Sequence, residues 1–160
     1  MSEQTVLSCL AKQQTDSHWF GDPEGDGFGN QFRLFTQATV SRVAVKMSKQ
    51  GIPTGSMVAR LYTSDGDFGN IYAFADTQIA QSTDSVDVSA LSTSPQDIDF
   101  TFDDIVLPPG TYFIVVFSSS IDNENGHVRL SMCENTGPNF GPITIWDREN
   151  SRWQSMYWWD

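Results

Sequence analysis

A run of oxygen ligands near the N-terminus is the first group of residues that could do chemistry. Asp22, Glu24 and Asp26 alternate with other residues and are followed by Gly27, as at the start of a calcium-binding loop. Alternating side chains in such a loop converge on a hard cation, while glycine permits the sharp bend. The twelfth position is Arg33 rather than the bidentate glutamate of an EF-hand. The run is therefore a candidate calcium site, whereas a solvated acidic turn, the usual use of Asp and Gly, needs no ligand. Two shorter acidic runs have similar chemistry and weaker spacing: 65–67 and 122–126.

Aromatic residues of the C-terminal segment form the second group. In an extended strand Trp153, Tyr157 and Trp159 share one face, and Trp158 falls on the other. One strand cannot bury all of these rings in one core, so we expect some of them to face outward. A ring beside Asp, Asn or Arg suits a pyranose, whereas a subunit interface or the protein core would use the same rings. The candidate contact residues for a ligand or partner are Trp19, Trp146, Arg148, Trp153, Tyr157 and Trp158.

Catalytic motifs are absent from the sequence. It has no nucleophile elbow, zinc-protease helix motif, phosphate-binding loop, paired-cysteine motif or dinucleotide-binding glycine motif. His18 and His127 are the only histidines, and neither lies near a nucleophile turn. We therefore expect each of them to lie on the surface or to form ordinary structural hydrogen bonds. Asp and Glu total 20, and no pair of them is marked as the acid and base of a glycosidase. We expect a protein without enzymatic activity.

Length and charge narrow the class of protein further. The 160 residues suit a single domain spanning 1–160. Nine basic residues against 20 acidic ones give a net charge of −11, which disfavours nucleic acid and anionic membranes as partners. The first residues lack the features of a secretory signal, and no asparagine lies in a glycosylation motif, so we expect synthesis in a cytoplasm. Cys9 and Cys133 are accordingly expected to be reduced.

Strand patterns dominate the chain from one end to the other. Apolar residues alternate with polar ones in short runs that Gly, Pro, Asn and Asp separate, and no amphipathic helix is evident beyond one helical turn at 88–91. About eight to ten short strands predict an all-β fold, a two-sheet antiparallel β-sandwich of jelly-roll type. The predicted strands are 5–10, 30–35, 40–47, 57–63, 78–81, 98–102, 111–117, 128–132, 143–146 and 152–159.

Three of these strands also indicate where they lie in the fold. Segments 40–47 and 57–63 flank the turn Gly51-Ile52-Pro53-Thr54-Gly55, which predicts a hairpin. Segment 111–117 is apolar on both faces, which predicts a central position in a sheet.

A resemblance to known modules covers about half of the chain and is carried by segments 40–67 (VSRVAVKMSKQGIPTGSMVARLYTSDGD) and 105–120 (IVLPPGTYFIVVFSSS). They resemble the jelly-roll, galactose-binding-like modules of phage virion proteins and bacterial surface proteins. Such modules decorate capsids, build tail fibres or bind glycans, so the resemblance implies binding or scaffolding. We expect a virion component made in the host cytoplasm, a homo-oligomer that contacts other virion subunits and also a cell-surface glycan. An extracellular, stand-alone carbohydrate-binding module, with or without calcium, is the alternative.

Overall fold

β-Strands make up nearly all of the structure. The computed structural model describes the backbone of residues 16–20, 25–70, 72–118, 126–132, 140–147 and 152–155, and the side chains of 27–70, 72–118 and 126–130. These residues form one short 3-10 helix, Val88–Ala90, where a helical turn was predicted, and no described helix is long and apolar enough to span a membrane. The described strands are β1 Asp16–Phe20, β2 Gly25–Leu34, β3 Ala38–Gly51, β4 Ser56–Ser64, β5 Ala75–Gln81, β6 Val86–Asp87, β7 Gln96–Leu107, β8 Gly110–Ser118, β9 Gly126–Met132, β10 Phe140–Asp147 and β11 Arg152–Ser155.

The strands form two antiparallel sheets. The smaller sheet has the order β1-β9-β3-β7, and the larger has the order β11-β10-β2-β8-β4-β5, with β6 paired to the start of β4. Most connections carry the chain from one sheet to the other, so that β2, β3 and β4 alternate between the two sheets. The predicted all-β sandwich is confirmed, and its jelly-roll type stays an interpretation. The described residues hold more strands than the predicted eight to ten, because β1 and β6 were not expected; the predicted strand at 5–10 lies outside them.

The core lies between the two sheets and follows the alternation in the sequence. On β7, Phe100 and Phe102 are buried against residues of the larger sheet, while Asp97 and Asp99 face outward. Burial of an aromatic or aliphatic side chain of this size stabilises the fold by roughly 1.5–3 kcal/mol. The outward aspartates bind Lys46 and Arg42 of β3 at 2.8 and 2.9 Å. Such exposed ion pairs contribute about 1 kcal/mol at most, so burial rather than charge holds the sheets together.

The hairpin predicted from 40–47 and 57–63 is wrong. Strand β3 pairs with β7 and β9 in the smaller sheet, whereas β4 pairs with β8, β5 and β6 in the larger sheet. The physical reason is that both strands have an apolar face, and these faces meet across the core, where Met47 and Met57 are both fully buried. The connection between β3 and β4 is bound to the 3-10 helix, since the Val88 N–H donates to the Gly55 carbonyl at 3.1 Å.

Strand β8 is central in the larger sheet, as its sequence predicted. It pairs with β2 on one side and β4 on the other, and both of its faces are buried. Val116 belongs to the core between the sheets, whereas Phe113 and Val115 belong to a second apolar cluster with Tyr62 and Ala75. Strand alternation places this second cluster on the outer face of the larger sheet, the face turned away from the smaller sheet.

Strand β2 begins five residues earlier than the predicted strand at 30–35. Its first residues are Gly25, Asp26 and Gly27, which the sequence assigned to a loop. At Gly29 an added Cβ would overlap the Ile114 carbonyl oxygen and lie 2.7 Å from Val115 Cγ2. Glycine is therefore required there by the close approach of β8, although glycine disfavours a strand by itself.

Candidate functional site

The β10–β11 hairpin brings two of the predicted contact residues together. Trp146 and Trp153 are directly opposed partners in its register, and the same row continues through Gly27 of β2 to Phe117 of β8. Directly opposed residues lie on the same face of a sheet. The next residue of β2, Phe28, is buried in the core between the sheets, so the row lies on the outer face of the larger sheet.

Trp19 lies on the opposite surface of the sandwich. It is in strand β1, and its partner in register is Arg129 of β9. The neighbouring residue of β9, Val128, is fully buried in the core, so the Trp19 position belongs to the outer face of the smaller sheet. The predicted contact residues therefore do not form one site. Three of them lie outside the described residues and stay predictions: Arg148, Tyr157 and Trp158.

Two arginines on the larger sheet stack on aromatic rings. The Arg60 guanidinium lies 4.2 Å from the centroid of the Phe117 ring, and its Nε donates to Gln81 Oε1 at 2.9 Å. The Arg33 guanidinium lies 5.0 Å from the centroid of the Phe35 ring. Such contacts are worth about 0.5–1 kcal/mol at exposed positions. Neither arginine forms an ion pair with a described residue. Sequence analysis missed the Arg60–Phe117 contact because the two residues are far apart in the chain and meet only through the pairing of β4 with β8.

The centre of the outer face is closed. Phe113 and Val115 are fully buried, and so is the side chain of Gln31. The Gln31 amide donates to the Asp67 carbonyl at 3.3 Å and to the Ser64 hydroxyl, and it accepts from the Gly69 N–H at 2.7 Å. Gln31 thereby fastens the loop between β4 and β5 over the sheet. Any ligand of this face must bind at its borders.

The predicted calcium ligands are described only in part. Asp26 lies in β2, where its neighbour Gly25 pairs with Asp147 of β10, while Asp22 and Glu24 lie outside the described residues. Among the side chains that the structure describes, no group of three His, Cys, Asp or Glu residues could hold a metal ion. The calcium site stays a prediction. The predicted reduced state of the cysteines also stays one, because both cysteines lie outside the described residues.

The two histidines occupy different faces of the smaller sheet. His18 is the register partner of Leu130, a core residue, whereas His127 pairs with Gln50 and alternates with the buried Val128. Burial lowers the pKa of His127, because desolvation disfavours the imidazolium, and the charge of Arg129 lowers it further. His127 is therefore held in its neutral form near neutral pH.

The stability of the fold should decrease as pH falls, because His127 becomes protonated more readily in the unfolded chain. Its folded pKa lies below the ordinary value of about 6.5, so the unfolded chain binds the proton more readily. The contribution is complete above that ordinary value and is lost as pH falls through it towards the folded pKa. We expect the urea midpoint of His127→Gln to fall less than that of the native chain between pH 7.5 and 5. Equal slopes would show that His127 titrates normally.

Comparison with protein-family models, with curated proteins and with solved structures finds no match to this chain. The geometry of the described residues therefore has to carry the functional argument.

Proposed function

We propose that the chain is a non-enzymatic structural component of a virion, a capsid decoration or tail-fibre subunit that assembles through the β10–β11 hairpin. The observation that carries the proposal is the position of this hairpin. Among the described strands β11 is the outermost one at its end of the larger sheet, and its Trp153 lies opposite Trp146. An edge strand presents unpaired backbone groups, and natural proteins cover such an edge or use it for contact with another chain. Aromatic residues are enriched in such contacts.

The charge of the outer face supports contact with another acidic subunit. In a chain of net charge −11, copies repel one another unless they meet through surfaces that lack carboxylates. The outward positions of β2, β8 and β4 that are exposed or half-buried carry two arginines and no carboxylate. These positions are Arg33 of β2, Thr111 and Phe117 of β8, and Ser56, Val58, Arg60 and Ser64 of β4.

The proposal predicts that Trp153→Ala weakens self-association. A buried aromatic contact residue contributes about 2 kcal/mol or more, so the dissociation constant of the oligomer should rise about thirtyfold. Sedimentation equilibrium measures this change. Phe35→Ala is the matched control, because it removes another ring, 62% exposed, from the turn between β2 and β3. Its oligomer should be unchanged.

Two results would contradict this prediction. If the native chain remains monomeric at all concentrations up to about millimolar, the protein does not self-associate, since a dissociation constant above about 1 mM corresponds to only about 4 kcal/mol of binding free energy. Alternatively, Trp153→Ala could destabilise the fold by about 3–5 kcal/mol, which is the loss expected for a core aromatic residue. Trp153 would then be part of the protein interior, and the contact surface would lie elsewhere.

A carbohydrate-binding module is the second candidate function. The observation that favours it is not the aromatic hairpin but a tyrosine, Tyr72, that stands 71% exposed on the loop between β4 and β5.

A further inference from the structure

We propose that Arg60, on the outer face of the larger sheet, binds a carboxylate of a second copy of this chain. This inference rests on the proposed assembly of copies of the chain, and it concerns a contact other than the β10–β11 hairpin. Three features of Arg60 support it: the fixed position of its guanidinium, its unused hydrogen-bond donors, and the lack of a carboxylate beside it.

The fold holds the Arg60 guanidinium in one position. Arg60 is in β4, and both neighbouring strands contact its side chain. On β8 the ring centroid of Phe117 lies 4.2 Å from the guanidinium, and on β5 Gln81 Oε1 accepts from Nε at 2.9 Å. A side chain that is already ordered loses little conformational entropy when a partner binds. Arg60 is therefore preorganised for binding.

Most of the hydrogen-bond donors of Arg60 remain unused. A guanidinium donates through Nε and through its terminal nitrogens, and among the described residues only Nε has a partner. The terminal nitrogens are not among the buried side-chain atoms that lack a partner, so they reach solvent although the residue is half-buried. Their parallel N–H groups match the two oxygens of a carboxylate in spacing and direction.

No described carboxylate neutralises Arg60. In the smaller sheet Lys46 lies opposite Asp97 in register and binds it at 2.8 Å. Arg60 lies opposite Gln81 in the same way, and the glutamine amide is neutral. A half-buried cation without a counter-ion bears a desolvation cost that the carboxylate of a partner offsets. The surroundings of Arg60 therefore favour an acidic partner.

A second copy of the chain has the matching chemistry. Acidic residues number 20 and basic residues nine, so most of its surface is acidic. The carboxylates of Asp67, Asp103 and Asp104 are exposed and have no hydrogen bond or ion pair with a described residue. Phe117, on which Arg60 stacks, also belongs to the register row that leads to the β10–β11 hairpin. The Arg60 contact is thus continuous with the surface proposed for assembly.

Other partners fit this position less well. A nucleic acid requires several cations along successive phosphates, and the net charge of −11 repels it. An apolar protein surface would cover the terminal nitrogens of Arg60 without supplying acceptors. A carboxylate on a protein surface satisfies both the charge and the unused donors.

The experiment measures the dissociation constant of the oligomer by sedimentation equilibrium for two variants of this contact. Arg60→Gln removes the guanidinium. Gln81→Glu instead places a carboxylate beside Arg60 within the same chain, so that the guanidinium stays in position but is already paired. Each variant should raise the dissociation constant about tenfold or more, which is the loss of one charge-assisted contact. Added salt should weaken the native oligomer more than either variant, because it screens the contact.

Two further variants control for net charge. Arg33→Gln removes the exposed arginine of the same face, and Gln96→Glu adds a carboxylate at the exposed start of β7. Both should change the dissociation constant much less, since isolated exposed charges contribute little. Urea unfolding of all four variants checks that a weaker oligomer does not result from a damaged fold.

Three outcomes overturn the inference. The first is an oligomer that either Arg60→Gln or Gln81→Glu leaves unchanged. The second is an equal effect of Arg60→Gln and Arg33→Gln, which would show a general effect of charge. The third is a native chain that stays monomeric, in which case binding of a polyglutamate peptide through Arg60 would assign the contact to a different acidic protein.

The failure of this inference is distinguishable from the failure of assembly through the hairpin. If Trp153→Ala weakens the oligomer and Arg60→Gln does not, the Arg60 contact is wrong and the hairpin contact stands. The opposite pair of results removes the hairpin contact and retains the contact made by Arg60.

Discussion

Replacing Phe113 with alanine should lower the free energy of unfolding by about 3–5 kcal/mol. Phe113 lies on the outer face of the larger sheet, which in a two-layer sandwich would ordinarily face solvent. Its side chain is nevertheless fully buried, like that of Phe100 in the core between the sheets. It packs in a cluster with Tyr62, Ala75 and Val115. Deleting the ring removes its burial and leaves a cavity that neighbouring strands cannot close. Urea denaturation of Phe113→Ala and Phe100→Ala should therefore give losses of similar size.

Phe35→Ala provides the control for this measurement. The Phe35 ring is 62% exposed and contacts the Arg33 guanidinium, so its removal should change stability by about 1 kcal/mol or less. A loss below about 1 kcal/mol for Phe113→Ala would show that the outer face is open to solvent. The centre of the sheet would then become available as a binding surface, and the assignment of ligand contact to the borders of the face would be wrong.

The strands that sequence analysis predicted best are those whose two faces differ in character. On β7 the alternation of Ile98, Phe100 and Phe102 with aspartates specified both the strand and its buried face. Continuous apolar character in β8 specified burial on both faces. In these cases the hydrophobic pattern is itself the physical cause of the structure, because burial of the apolar residues drives the sheet to form.

Sheet membership could not be predicted in the same way. The turn between β3 and β4 has the composition of a hairpin turn, yet the two strands lie in different sheets. Local turn chemistry governs how the chain reverses, whereas the choice of partner strand depends on contacts distant in sequence. For the same reason the sequence does not show that Trp19 lies on a different surface from Trp146 and Trp153. The pairing of β1 with β9, which is distant in sequence, places Trp19 on the opposite surface.

The exposed Tyr72 ring could not be predicted from the sequence. Tyr72 belongs to a segment of mixed polar and apolar residues, and nothing in the order of residues shows whether its ring is exposed or buried. Two residues of the same segment, Asp67 and Gly69, are held by Gln31 of another strand, a contact distant in sequence. By contrast, the aromatic C-terminal segment is a candidate because of its residue types and their spacing, and Trp153 is the only one of its four aromatic residues that lies within the described residues.

Gly29→Ala should destabilise the fold by about 3 kcal/mol or more. An alanine Cβ at this position would lie 2.7 Å from Val115 Cγ2 and would overlap the Ile114 carbonyl oxygen. That oxygen belongs to the backbone of β8, the central strand, which is hydrogen-bonded on both sides and cannot withdraw. The substitution should therefore separate β2 from β8.

Gly69→Ala separates this steric effect from the general cost of replacing glycine. Gly69 has a φ of +80°, and an added Cβ there would meet nothing within 4 Å, so the expected loss is the left-handed backbone cost of about 1–2 kcal/mol. Thermal and urea unfolding should thus rank Gly29→Ala well below Gly69→Ala in stability. The reverse order would mean that β2 and β8 do not meet in the observed register. Gly27 would then no longer connect Phe117 to Trp146, and the aromatic row on which the assembly proposal rests would be lost with it.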